Sequence, residues 1–166
     1  MTEMTPRFAL PLLQPGQAQK EIYHNEALTA LDLAVHATVQ AVGIDLPPAS
    51  PAIGACWIVG TSPEGAWEGR ADQIAGWTSG GWRFVPPTEG MLAWCVADAL
   101  WVQHIGDTWV RGRIAAESLW IHGKQVVGAR LPAIPPPAGG VNIDAEVRST
   151  VLAILAALEA HGLTGE

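Results

Sequence analysis

Charge is scarce in this chain: Asp, Glu, Lys and Arg make up only 15% of its 166 residues, against about a quarter in an ordinary globular protein. The shortage is greatest for cations, with two lysines and seven arginines scattered along a chain of net charge -7. No basic stripe can form to neutralise a run of phosphates, which argues against nucleic acid and against an anionic membrane surface as partners. Long apolar runs are missing too. No stretch of about 18 uninterrupted apolar residues is there to span a bilayer, and the first 13 residues lack the cationic start and long apolar core of a signal peptide. Cysteine occurs twice, as Cys56 and Cys95, each beside a tryptophan in an apolar run. Buried free thiols are the expected state, with a disulfide between them left open.

Catalytic signatures are equally thin. The five histidines, His24, His36, His104, His122 and His161, form no short metal-ligand spacing with each other or with a cysteine. There is no phosphate-cradling glycine loop, nucleophile elbow or Cys-His arrangement. Glu64, Glu68 and Asp72 are spaced by four, and on a helix they would resemble the paired carboxylates of a glycosidase. Pro63, Gly65 and Gly69 interrupt that stretch, so a solvated loop is expected there. No cofactor, no metal and no catalytic residue are expected, and the chain reads as a non-enzyme.

What the chain does have is apolar bulk: 49% hydrophobic residues, with eight tryptophans beside one tyrosine and two phenylalanines. Proline clusters divide it into three parts, an N-terminal arm and helix (1–46), a Trp-rich β domain (53–131) and a Pro-rich linker with a C-terminal helix (132–166). Residues 17–42 contain no glycine or proline, and Leu28, Leu31, Val35, Val39 and Val42 recur at spacings of three and four, which predicts one long helix. Short apolar runs at 55–59, 91–96, 100–105 and 108–111, with a hairpin between Trp77 and Trp82, predict an antiparallel, barrel-like meander. A further hairpin is expected over 118–127. The final helix, 145–161, takes Asn142 or Asp144 as its cap and Gly162 as its stop. Val147, Val151, Ile154 and Leu158 follow one another at four, three and four, which is a heptad seam. The fold class is therefore α+β, and the seams Leu28–Leu31–Val35 and Val147–Val151–Ile154–Leu158 are expected to join copies of the chain.

Tryptophan in a small sheet has two physical uses. It contributes more buried area per position than Val or Ile, so most of the eight are expected to form the core. An outward indole can instead stack on a sugar ring, and Trp77, Trp82 and Trp109 are the candidates for a glycan or partner contact.

Order and spacing of several segments carry a family resemblance. Leu12-Leu13-Gln14-Pro15-Gly16-Gln17-Ala18-Gln19-Lys20, His24-Asn25-Glu26-Ala27-Leu28, Trp57-Ile58-Val59-Gly60, Gly65-Ala66-Trp67-Glu68-Gly69, Gly80-Gly81-Trp82-Arg83-Phe84 and Gly90-Met91-Leu92-Ala93-Trp94 together resemble a domain family of bacterial prophages and gene transfer agents. Members of that family are described loosely as tail-fibre or head-spike proteins. The ending, Gly123 to Arg130, the Pro-rich linker and Asp144 to Arg148 followed by an Ala-Leu helix, is similar to the tail of several prophage fibre proteins. Longer members place a large β-rich, receptor-facing region between the two ends, and here it is absent. The resemblance therefore implies a virion structural protein, assembled in the bacterial cytoplasm, that serves as base or connector of a spike or fibre. Its implied partners are itself, as trimer or pentamer, capsid or tail proteins, a separate fibre protein and host surface polysaccharide. The arm at residues 2–14 is the expected hook to the particle. No catalytic residues come with the resemblance.

Overall fold

The computed structural model describes residues 3–14, 20–138, 144–161 and 163–164. The chain divides into two compact units, Met1–Arg113 and Ile114–Glu166, and the class is α+β.

In the first unit, helix α1 (Lys20–Ala34) is followed at once by two short strands, β1 (Ala37–Val39) and β2 (Val42–Ile44). This corrects the expectation of a helix running to residue 42. His36 takes a left-handed φ of 45°, which ends the helix, and the β-branched Thr38, Val39, Val42 and Ile44 lose less side-chain freedom in strands than in a helix. Pairing completes the argument. β1 runs parallel to β6 (Leu92–Cys95), and β2 runs parallel to β3 (Cys56–Val59), so the stretch 37–44, read as helix as far as residue 42, supplies one strand to each of two sheets. Ala37 and Val39 are buried there.

The remaining strands are β4 (Ile74–Thr78), β5 (Gly81–Val85), β7 (Leu100–Ile105) and β8 (Thr108–Arg111). They form two four-stranded sheets, ordered β1-β6-β7-β8 and β2-β3-β4-β5. The consecutive strands pair antiparallel, as the meander predicts. The expected barrel-like closure does not occur: among the described residues each sheet stays open, because the parallel strands β1 and β2 occupy edges of different sheets.

Alternation along β3 explains why the β2-β3-β4-β5 sheet needs cover on both faces. All four residues of β3 are buried. Cys56 and Ile58 point into a core shared with Val39, Ile74, Ala93, Cys95, Val102 and Leu33 of α1. Trp57 and Val59 point the other way, into a second cluster with Trp67 and Ala75. Helix α1 docks through Leu33, whose side-chain methyls sit where a Cβ on Gly76 of β4 would be. Only glycine fits that point on the strand. Glu26 of α1 and Arg83 of β5 add an exposed bidentate pair, with N–O distances of 2.8–3.1 Å.

The expected N-terminal seam is divided by this docking. Leu28 is half-buried, while Leu31 and Val35 are 53% and 44% exposed. The buried face of α1 is instead the neighbouring one, through Asp32 and Leu33.

In the second unit, β9 (Leu119–Ile121) and β10 (Lys124–Val127) make the expected hairpin, turning through His122 and Gly123, both at positive φ. Helix α2 (Ala145–Ala160) begins at Asp144, whose carboxylate accepts the Val147 N–H at 2.9 Å. The alternative cap Asn142 and the stop Gly162 lie outside the described residues. No residue of α2 is buried.

Candidate functional site

Three places in the first unit concentrate side-chain chemistry. The first is the tryptophan cluster. Trp77 and Trp82 face each other across the β4–β5 hairpin, with ring centroids 4.9 Å apart and planes at 62°. Directly paired antiparallel residues share a sheet face, and this is the face that carries Trp57. Trp82 meets Trp57 at 5.7 Å and Trp67 at 5.1 Å, both edge-on. Trp67 is fully buried and arrives on a one-turn 3-10 helix (Gly65–Trp67). That loop is held by Asp45, whose carboxylate accepts the Ser62 N–H at 2.9 Å and whose carbonyl accepts the Glu64 N–H at 2.9 Å. Arg70 stacks on Phe84 at the edge of the cluster, 4.9 Å from its centroid. Trp77 and Trp82, expected at an exposed hairpin tip, are therefore half-buried. The bracketing turn is exposed, but the indoles lie along the sheet and under the Trp67 loop.

The second place is an open cleft of about 380 Å³ lined by Asp45, Asp72, Asp107, Trp109, Arg111 and Thr61, among others. Trp109 is half-buried; its indole N–H donates to the Asp72 carbonyl at 2.8 Å, and its ring meets that of buried His104 at 5.3 Å and 71°. Arg111 donates to the Val42 carbonyl at 2.6 Å and lies 3.5 Å from an oxygen of Asp98. The structure thus brings together Trp109 and Asp72, two residues proposed from the sequence for different reasons. Glu64 and Glu68 are exposed loop residues outside the cleft lining, so the three carboxylates do not share one face. Among the described residues no group of three His, Cys, Asp or Glu is placed to hold a metal ion.

The third is the Asp32 latch, which the sequence reading missed. Asp32 is fully buried, and its carboxylate accepts the Thr5 hydroxyl at 2.7 Å and the backbone N–H groups of Arg7 and Phe8 at 3.0 and 2.7 Å. The Arg7 guanidinium in turn donates to the carbonyls of Asp32, Leu33 (3.2 Å) and His36 (2.8 Å). The first two are orphan acceptors of the last turn of α1, and the third lies in the turn just beyond it. The arm itself is a tight hairpin closed by Thr5 N–H to Leu10 carbonyl and Leu12 N–H to Glu3 carbonyl, at 2.9 and 2.8 Å. Asn25 grips it again through both Leu13 backbone groups, at 2.9 and 3.0 Å. The sequence signal was an ionisable residue set between Leu31 and Leu33 on a helix otherwise read for its apolar spacing.

Both thiols are free and buried. Burial pushes the Cys56 thiol up to about 11, and Cys95 donates to an Asp98 oxygen at 3.3 Å. Burial closes the approach to both. The seam residues of α2 differ from these: Val147 and Ile154 are exposed, Val151 and Leu158 half-buried. Register also reveals an aromatic pair unassigned from sequence, Trp94 and Trp101, opposite one another on β6 and β7 with centroids 5.3 Å apart. Trp101 is 44% exposed.

No curated protein matches the chain at a significant level. One family does match, over residues 24–110, a span that runs from α1 into β8 and takes in both sheets. That span is more than half of the chain, and the protein accordingly belongs to the family described as protein of unknown function (DUF2793).

Proposed function

We propose that the chain is a non-enzymatic structural component of a phage-like particle, the base or connector of a head spike or tail fibre, acting as a homo-oligomer that supports attachment to the host surface. The observation that carries this reading is the contrast between the two units. The first has a core and a latched arm, whereas the second leaves no residue of its helix fully buried. A chain that folds one module and presents another uncovered is built to be completed by neighbours. The prophage-like order of motifs points to a particle as the setting. Antibody labelling of purified particles from a producing strain is the test. Label at a head vertex or along the tail is the expected result, and particles lacking the chain would overturn the reading.

A second reading, a carbohydrate-binding module for capsular or cell-wall polysaccharide, is favoured by the cleft, where an indole edge, three Asp residues and Arg111 converge. Hydroxyl-rich ligands suit that mixture of acceptors, donors and apolar surface. Asp107→Asn tests it: Asp107 sits at a positive φ of 62° that Asn tolerates, so stability should hold while polysaccharide retention on affinity electrophoresis falls. Unchanged retention, or none in the wild type, removes this alternative.

A further inference from the structure

We infer that α2 forms the core of a bundle of three or more parallel copies, and that the second unit acquires its hydrophobic interior only between chains; this rests on the oligomeric part of the reading above. The starting observation is what the unit lacks. Among the described residues of Ile114–Glu166 twelve large apolar side chains are exposed, Trp120 at 60%, Val147 at 56% and Ile154 at 54% among them, and no hydrophobic residue is buried. A lone two-stranded hairpin and one 16-residue helix are each marginal in water. At roughly half exposed apiece, those side chains offer on the order of 1,000 Å² per copy, more than the about 800 Å² per partner that a standard stable interface covers.

The occupant follows from the helix itself. With Val147 and Ile154 at d, Val151 and Leu158 fall at a. The seam carries no charge, and the whole helix has only Glu146, Arg148 and Glu159, so copies aligned side by side do not repel. Cyclic symmetry sets them in the same direction. Geometry at a and d then selects the number of strands. Dimers want β-branched residues at a with Leu at d, whereas Leu at a with Ile at d shifts the preference to three or four. Here Ile154 at d is followed by Leu158 at a, and d carries β-branched residues throughout. Leu155 and Ala157, at e and g, widen the apolar face beyond a two-stranded seam. An apolar groove of about 300 Å³ beside the β9–β10 hairpin, lined by Ile114, Leu119 and Val127 among others, offers room for side chains of the neighbouring copy.

Sedimentation equilibrium on the full chain at micromolar concentration tests this directly, with an expected mass of three or more times the 17.5 kDa protomer. A monomer, in which the apolar surface is covered within one chain or left for an unrelated partner, would overturn the inference, and so would a dimer. Ile154→Asp, with a charge at d, should dissociate the assembly and lower helical circular dichroism. Should that variant fail to express, the triple exchange Val147→Leu, Ile154→Leu and Leu158→Ile supplies the second measurement. It restores dimer-type chemistry, and the mass should fall to two chains; an unchanged mass would show that α2 is not the core. These outcomes are separable from those of particle labelling, which can fail while the mass stands, or succeed for a monomer.

Discussion

The Asp32 latch yields the most demanding prediction. Asp32→Asn preserves the shape of a fully buried side chain but replaces one carboxylate oxygen by an N–H donor. Three donors currently end on that carboxylate: the Thr5 hydroxyl at 2.7 Å and the Arg7 and Phe8 N–H groups at 3.0 and 2.7 Å. Hydrogen bonds to a charged acceptor contribute about 1.5–3 kcal/mol each, and a buried donor without an acceptor costs about 1–3 kcal/mol. With its oxygen at the Oδ1 position the amide still accepts from Thr5 and Phe8, so the loss is the Arg7 bond together with a donor left facing an N–H, roughly 2–4 kcal/mol. Against a typical domain stability of about 5–15 kcal/mol this is a large fraction, and it corresponds to a fall in Tm of about 8–16 °C for a unit of this size. Urea unfolding followed by tryptophan fluorescence reads the free energy, since the tryptophans of the first unit lie in or beside its sheets. A double-mutant cycle with Thr5→Val isolates the latch from any change in helix propensity, with a coupling of at least about 1 kcal/mol expected. Amide exchange in residues 4–12 should rise in parallel, because the arm is the part released. An Asp32→Asn protein within about 0.5 kcal/mol of wild type, or a cycle that is simply additive, would refute the reasoning.

Four further outcomes follow from the same packing. Trp67→Ala should destabilise by about 3–5 kcal/mol, because Trp67 is fully buried against Trp57 and Trp82, and denaturant titration would detect it; a loss under 1 kcal/mol would mean the loop is not a lid. Gly76→Ala should cost about 1–3 kcal/mol by driving a methyl into Leu33, and in thermal melts the same exchange should cost much less in a Leu33→Ala background, where the clashing methyls are gone. Cys56 and Cys95 should resist a thiol reagent in the native state and react in denaturant. The raised Cys56 pKa sets a pH dependence as well: stability relative to Cys56→Ala should be constant below the unfolded value of 9.0 and fall as pH rises toward about 11, since the unfolded thiol releases its proton first.

Much of the chain was legible because local chemistry and tertiary demand agree there. Three of the four hairpins between residues 74 and 127 turn through residues suited to positive φ, Gly81, Asp107 and Gly123, and only the β6–β7 turn places it on an alanine, Ala99; alternation marks the strands on either side. Asp144, one of the two caps offered by the sequence, caps α2, because a cap is a contact within four residues. The helix overrun at 35–42 failed for the opposite reason. Apolar spacing of three and four is shared by a helix and by two short strands with a kink between them, and the decision came from the edges of β3 and β6, which are distant in sequence. Tryptophan exposure failed in the same way: Trp77 and Trp82 do bracket an exposed turn, but their face is covered by Trp67, brought in by a loop that Asp45 ties down.

Sequence alone determined the class of this protein, its low cationic charge and the apolar spacing of its terminal helix, since each is a property of composition or of spacing within a few turns. Tertiary structure alone decided that residues 37–44 serve two sheets, that Asp32 is the anchor of the arm, and that Trp109 and Asp72 share a cleft. Those facts depend on long-range strand pairing and on which face of a sheet is left without cover, and neither is written in the periodicity of any one segment.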